Sequence, residues 1–440
     1  MKIIIIGGVA AGMSAAAKLS RELPEAQVIV FEKTQEVSYA GCGLPYYVSG
    51  ENDDINKLRI RTVEQFKKSG IDVRLGHTVI GLDAVNKTVD VENEAGVFQE
   101  SYDRLIITTG ASPIVPPIAG NDLPGVFVLK SLEDAYYMRK ALEQVDSVVI
   151  VGGGYIGLEL VEAFVHQNKK VTVIERLDRV LTVFDREISE QVGNYLRTNG
   201  VDIRLQETVT EIRQENNELS VITDKGSKTA QMVVFAVGVR PNTAFLKDSG
   251  IKMVGNGAIV INDQMRTSLP DVYAAGDCAT VNHRVTGKVK YIPLATNANK
   301  QGKLLAEILA GKDKSYTQAL GSAMIKILDL ELAKTGIGES EAADYDGEIE
   351  TVTVTAGNHA HYYPGHGKVT IKLVVDKHSK VILGAQLIGA VGTALRVNPY
   401  VVAIATKMTA SEFGGLDFGY APPFASTWDV MHIAANAVKE

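Results

Sequence analysis

Through the first 320 residues, short and almost wholly apolar runs alternate with amphipathic stretches. The runs cover 3–6, 28–31, 105–108, 148–151, 171–174, 233–236 and 272–275. Set between glycine-rich breaks and stretches of helical periodicity, they predict buried strands of parallel, doubly wound sheets with helices on both faces. Beyond about residue 320 the pattern changes to the alternation of an antiparallel sheet. It is seen in TVTVT at 351–355, KVTIKLVV at 368–375 and VILGAQLI at 381–388. An apolar helix over 394–408 is predicted to follow. The chain reads as α/β, with a C-terminal α+β region whose many apolar positions leave room for a subunit interface.

Two stretches sharpen this reading. KIIIIGGVAAGMSAAA, 2–17, and VVIVGGGYIGLELVEAF, 148–164, each run an apolar strand into a glycine turn and a small-residue helix. That geometry aims backbone N–H groups and a helix N-terminus at a pyrophosphate. Two copies in one chain predict two Rossmann-like domains and two dinucleotides, most simply FAD and a nicotinamide nucleotide. In the first copy the pattern reads Gly7, Val9, Gly12, so the middle glycine is replaced. Glu32, closing the next strand 20 residues after Gly12, supplies a carboxylate for a ribose diol. The second copy is complete at Gly152, Gly154 and Gly157, and Glu175 ends the strand after it. A carboxylate there favours the free 2′-hydroxyl of NADH, while Arg176 beside it leaves NADPH open. Proline-rich 110–125 and GVRPNT at 238–243 mark domain crossings. The expected division is 1–112 with 244–320 for an FAD-binding domain, 113–243 for an inserted NAD(P)-binding domain, and 321–440 for a dimerisation domain.

A formal net charge of −7 argues against nucleic acid or an anionic membrane as partner. No apolar run approaches 18 residues and the apolar start is too short for a signal peptide, so a cytoplasmic enzyme with no membrane span is expected. Two cysteines, Cys42 and Cys278, are too few for a disulfide framework. Cys278 reads as a small buried residue. Cys42, in SYAGCGLPYY, is flanked by Gly41 and Gly43, which leaves its sulfur approachable. If residues 44–48 open a helix, its positive end lowers the thiol pKa and favours thiolate. A flavin, a hydride donor and a lone thiol together read as thiol redox chemistry.

Other positions carry chemistry less specifically. Asp277, after the run 272–275, either hydrogen-bonds a flavin ribityl hydroxyl or caps a following helix. In HAHYYPGH, 359–366, His359 and His361 would share one face of a strand, but no carboxylate or cysteine has ligand spacing nearby, so no metal is expected. Tyr362 in that stretch and Tyr420 in GYAPPF offer hydroxyls suited to a departing thiolate, or simply pack.

The motifs GGVAAGMSAAAK, SYAGCGLPYY, TTGASP, VGGGYIGLE, GVRPN, AAGDCA, HAHYYPG and YAPPF, in that order, resemble the single-cysteine branch of the pyridine nucleotide-disulfide oxidoreductases. The coenzyme A-disulfide reductases are the nearest group, with NADH oxidases and coenzyme A-persulfide reductases beside them. The resemblance implies a homodimeric FAD enzyme that oxidises NADH and reduces coenzyme A disulfide or a related small thiol species. Cys42 would be the redox nucleophile, with Tyr362 and Tyr420 reaching it from the other subunit. Gly7, Gly8, Val9, Ala10, Ala11, Gly12, Glu32, Lys33, Thr109, Gly110, Gly276 and Asp277, with Gly152, Gly154, Tyr155, Ile156, Gly157, Glu159, Glu175 and Gly238, would line the cofactor sites. Ser14, Lys18, Arg21 and Ser38 would line the coenzyme A site. Ala10 stands where water- and peroxide-handling relatives carry histidine, which disfavours peroxide chemistry. Trp428 stands where some coenzyme A reductases place a basic residue. The alternative activity is oxygen reduction, with Cys42 cycling through a sulfenic acid.

Overall fold

The computed structural model describes residues 1–439. The predicted runs become two five-stranded parallel sheets. The first is ordered Val272–Ala274, Arg104–Ile107, Lys2–Ile6, Gln27–Glu32, Ile71–Leu75. The second is ordered Asp202–Leu205, Lys170–Glu175, Ser147–Val151, Met232–Phe235, Val126–Phe127. Strands such as Lys2–Ile6 and Ser147–Val151 are buried on both faces, as continuous isoleucine and valine runs require. The first sheet takes its edge strand Val272–Ala274 from beyond the second sheet. Where the chain crosses between them, Ala111–Pro113 pairs antiparallel with Val239–Pro241, so both crossings lie side by side.

The third region is one antiparallel sheet, ordered Ala323–Ile327, Leu330–Gly336, Ile382–Gly389, Lys368–Asp376, Ile349–Gly357. The apolar stretch predicted over 394–408 forms a short 3₁₀ turn, Ala394–Arg396, and then the helix Val397–Thr406. It packs on the sheet through Val397, Tyr400 and Ile404. Val391, Leu395, Val402, Phe424 and Trp428 remain exposed in this region, an apolar surface of the kind that subunits cover. Among the described residues, no helix is long and apolar enough to cross a membrane.

Two three-stranded antiparallel sheets were not anticipated from the sequence: Thr78–Asp83, Thr88–Asn93, Gly96–Ser101, and Val209–Glu215, Glu218–Thr223, Gly226–Ala230. Each buries a narrow apolar face, through Val79, Val89 and Val91 in one sheet and Val209, Ile212, Leu219 and Val221 in the other, between polar and exposed positions, so their short strands lack the continuous apolar runs of the parallel sheets.

Two packing features position the site. The short helix Leu44–Ser49, which follows Cys42, does not pack on its own sheet. Its Leu44, Tyr47 and Val48 join the core of the second sheet's helices, against Leu132, Met138, Leu158 and Val161. The C-terminal sheet, in turn, is tied to the second domain by Lys372, which is buried in the middle of its strand. Its ammonium reaches Asp185 at 3.1 Å, Glu187 at 2.5 Å and Glu339 at 2.6 Å. Burial alone would raise the Asp185 carboxyl. The backbone N–H groups of Glu339 and Ser340 and the Lys372 charge outweigh it and hold the carboxyl below the usual carboxylate range.

Replacing Lys372 with Met strands Asp185 as an uncompensated buried carboxylate, which is expected to remove about 3–5 kcal/mol of stability. Chemical denaturation at pH 7 checks this, and a loss within 1 kcal/mol contradicts it. The wild-type Asp185 contribution is full above the ordinary carboxylate pKa and disappears as the pH falls through the lowered folded value. The gap between variant and wild type therefore narrows in acid.

Candidate active site

Both glycine turns are built in the same way. Gly7 N donates to Phe31 O at 2.8 Å, and Gly152 N donates to Ile174 O at 2.9 Å. The next amide holds the strand-end acid: Gly8 N donates to Glu32 Oε2 and Gly153 N to Glu175 Oε2, both at 2.7 Å. The second carboxylate oxygen accepts from Thr34 N in one copy and from Leu177 N in the other, both at 2.8 Å. A side chain on Gly12 or Gly157 would collide with the carbonyl oxygen of Gly7 or Gly152, so the third glycine lets each helix start against its turn. The helices begin at Ala10 and Tyr155, beside Ala11 and Ile156. Space is open at Gly154, while Val9 carries a side chain at the matching place.

These cradles fit dinucleotides. Thr109 Oγ1 and Tyr155 OH are buried without a hydrogen-bond partner, as groups awaiting a polar ligand would be. Gly110, Gly238 and Gly276 hold left-handed φ values of 66°, 111° and 77° that a side chain resists. Gly276 abuts Ala11 of the first helix. Lys33 is exposed just past Glu32. No helix follows Asp277, so the cap reading of that residue falls. Burial raises its carboxyl, and the nearby Lys130 charge opposes this.

Cys42 lies in the 3₁₀ turn Gly41–Gly43, exposed, immediately before the helix Leu44–Ser49. The expected helix is present, but the expected depression of the thiol pKa is not. Partial desolvation raises it, the carboxylates of Glu159 and Asp277 add to the rise, and Lys130 only partly offsets them. A six-residue helix carries too little aligned dipole to reverse this. Charged groups from both nucleotide-binding domains, Glu159 and Asp277, thus act on Cys42. Burial, then its neighbour Glu162, pushes the Glu159 carboxyl up to about 7. Cys278 is fully buried.

Tyr362 and Tyr420, 58 positions apart, meet hydroxyl to hydroxyl at 3.1 Å on the exposed face of the C-terminal region. The strand expected under the histidines ends at Gly357, so His359 and His361 do not share a strand face. His359 is buried against His366 and Tyr363, and His361 is exposed beside Tyr362. Ser14, Lys18 and Arg21 lie along the first helix and Ser38 sits in the turn beyond Glu32. Lys18 was expected to line the coenzyme A site. It is instead held by Glu22 at 2.6 Å and Glu307 at 3.1 Å, and Ser14 Oγ donates to Asn299 at 2.8 Å. Arg21 remains exposed with no carboxylate against it among the described residues.

Sequence reasoning missed several neighbours. Lys130 carries no motif, and it reaches Cys42 only through the fold. Glu162, one helical turn past Glu159, is buried and bonded by Lys326 from the C-terminal sheet. The spacing of three residues was the available signal. Tyr291 OH donates to Asp277 O at 2.9 Å.

Residues 1–302 match the family model described as pyridine nucleotide-disulphide oxidoreductase, and residues 322–432 match that family's dimerisation domain. The chain is 40% identical over 442 residues to the NAD(P)H coenzyme A polysulfide/persulfide reductase of Pyrococcus horikoshii, spanning 100% of this chain and 98% of that one. It is 31% identical over 446 residues to the coenzyme A disulfide reductase of Staphylococcus aureus, spanning 100% of both. The crystal structure of reduced Bacillus anthracis CoADR-RHD is similar at a TM-score of 0.95 and 33% identity, over 99% of this chain and 79% of that one.

The environment of Cys42 sets a testable titration. Alkylation of the thiol by iodoacetamide is expected to rise with pH through a midpoint above the ordinary cysteine range. Glu159→Gln removes a carboxylate that is ionised above pH 7, so it should lower that midpoint by about half a unit to one unit. An unchanged or higher midpoint contradicts the arrangement.

Proposed function

The chain belongs to the pyridine nucleotide-disulphide oxidoreductase family, whose members work with FAD and NAD(P)H, and within it we propose that this protein reduces coenzyme A disulfide, or a related low-molecular-weight disulfide or persulfide, through Cys42. The observation that carries the reading is a single accessible thiol, Cys42, followed by a helix that packs on the second nucleotide-binding domain, while the other cysteine, Cys278, is free and fully buried. The resolving thiol must then come from the substrate.

In this reading the FAD-binding domain is 1–112 with 244–320, the NAD(P)-binding domain is 113–243, and 321–440 forms a homodimer interface. Glu32 and Glu175 hold the riboses of FAD and the nicotinamide nucleotide through the carboxylates that their glycine turns orient. Glu175 favours NADH. The bound FAD supplies the passage of two electrons from NAD(P)H to sulfur. The chain's own residues do the rest. Cys42 thiolate attacks one sulfur of the disulfide RS–SR, forming Cys42–S–S–R and releasing RS⁻. Two electrons then cleave that bond to give Cys42 thiolate and a second RS⁻. The two thiolates take up two protons, so the balance is NAD(P)H, H⁺ and RSSR to NAD(P)⁺ and two RSH. Tyr362 and Tyr420, acting on the other subunit's Cys42, donate hydrogen bonds to the leaving sulfur. Ser14, Arg21 and Ser38 line the approach of the coenzyme A nucleotide, and Lys18 must exchange Glu307 for phosphate to join them.

Cys42→Ser is expected to abolish disulfide turnover while the protein keeps FAD and its flavin is still bleached by NADH. Anaerobic stopped-flow absorbance separates the two. Disulfide turnover near the wild-type rate removes Cys42 from the reaction, and fast NADH consumption in air without disulfide favours the oxidase.

Tyr362→Phe and Tyr420→Phe should each slow disulfide reduction by about tenfold to a few hundredfold, the worth of about 1.5–3 kcal/mol for a hydrogen bond to a charged group. Dimers mixed from Cys42→Ser chains and doubly Phe-substituted chains should regain activity above either parent, because one site then has an intact cysteine and intact tyrosines. No recovery after proven subunit exchange contradicts action across the interface.

A further inference from the structure

The helix that carries Cys42 into place is held at its far end by the nucleotide-binding domain. Leu44–Ser49 is six residues long, too short to persist unaided, and the carbonyls at its end need outside partners. Two of those partners are side chains of the second domain. Arg139, on the helix Leu132–Leu142, donates from Nη1 to Tyr47 O at 3.2 Å and to Asn52 O at 3.0 Å. Its guanidinium also stacks over the Tyr47 ring, 4.6 Å from the centroid. Gln167, which caps the helix Tyr155–His166, donates from Nε2 to Ser49 O. Gly50 ends the cysteine helix at φ 84° and has no side chain, which is what admits the two donors. A Cβ there would sit 3.0 Å from Gln167 Nε2.

The near end is held by backbone bonds within the first domain, where Tyr39 bridges antiparallel to Arg59 and Ile60 N donates to Ser38 O at 2.8 Å. Ala40 N donates to Leu58 O at 2.8 Å, Gly43 N closes the turn onto Ala40 O at 2.9 Å, and Leu58 packs beneath Gly43. Nothing lies within 4 Å of a Cβ built on Gly41. Cys42 is thus held from both sides, and the far end of its helix is the side that the second domain holds. Arg139 makes no ion pair among the described residues, so its guanidinium is committed to those carbonyls, through Nη1, and to that ring.

We infer that Arg139, with Gln167, is a positioning residue for Cys42, capping the cysteine helix from the nucleotide-binding domain and coupling the placement of the sulfur to that domain. The coupling has a direct path. The helix Tyr155–His166 starts at the second glycine cradle and ends at Gln167, about 18 Å away at 1.5 Å per residue. One rigid element therefore touches the nicotinamide nucleotide at one end and the cysteine helix at the other. The inference rests on Cys42 being the reacting thiol, but not on which disulfide it attacks.

Arg139→Gln, Arg139→Lys and Gln167→Ala in the FAD-loaded enzyme test it with a readout that needs no disulfide. The rate of Cys42 alkylation by iodoacetamide is followed by mass spectrometry, with Cys42→Ser as the blank. Released from its clamp, the turn should expose the sulfur more often. Alkylation is expected to quicken by about fivefold in Arg139→Gln, while the disulfide step slows by about tenfold and flavin reduction by NADH stays within about twofold. Lys keeps a charged donor for the carbonyls but loses the planar stacking on Tyr47, so Arg139→Lys should fall between. Gln167 is exposed, and Gln167→Ala should repeat the split on a smaller scale even if Arg139→Gln does not fold. Alkylation at the wild-type rate in both Arg139→Gln and Gln167→Ala overturns the inference, as does a loss of flavin reduction in parallel with the disulfide step. A failure to turn over coenzyme A disulfide that leaves the alkylation pattern intact overturns the substrate reading instead.

Discussion

Each half of this molecule is organised by a helix pressed against a glycine turn. Gly12 and Gly157 permit that approach because any side chain there would strike the carbonyl oxygen of Gly7 or Gly152. The approach forces the turn amides outward, brings the strand-end carboxylates of Glu32 and Glu175 under the next amide at 2.7 Å, and leaves the N-terminus of each helix facing open space. A dinucleotide phosphate is the ligand that such a surface accepts. With two such surfaces fixed in one chain, the distance between them is set by how the domains pack, and the short helix after Cys42 reaches across from the first domain into the core of the second.

That packing sets the environment of the thiol. The turn Gly41–Gly43 leaves the sulfur approachable, while partial burial and the carboxylates of Glu159 and Asp277 raise its pKa, with Lys130 partly opposing them. Glu159, with its carboxyl pushed to about 7, changes charge near neutral pH, so the thiol's environment changes with it.

Much of this was legible in the chain. The seven apolar runs were read correctly because buried parallel strands admit little but Val, Ile and Leu, and the glycine spacing named both cradles. Cys42, Tyr362 and Tyr420 stood out because their residue types are rare in those settings, and the fold brings the two tyrosines to 3.1 Å. The hairpins at 78–101 and 209–230 were illegible because their apolar faces are short and alternate with polar residues instead of running continuously. The failures at the site share one cause: charge environment is assembled from distant segments. Lys18 was placed at the coenzyme A site, but Glu307 pairs with it from 289 positions away. The Cys42 pKa was misjudged because Glu159, Asp277 and Lys130 converge on it from three separate stretches, and Arg139 and Gln167 have no local pattern at all.

The central claim is that electrons leave this protein through one sulfur, with the substrate supplying its resolving partner. Intact-mass spectrometry of the oxidised, FAD-loaded enzyme after mixing with coenzyme A disulfide addresses it most directly. The account predicts one adduct of coenzyme A mass per chain, mapped to Cys42 and lost on adding NADH without any other thiol. An unmodified Cys42, or an adduct that survives NADH, would contradict it.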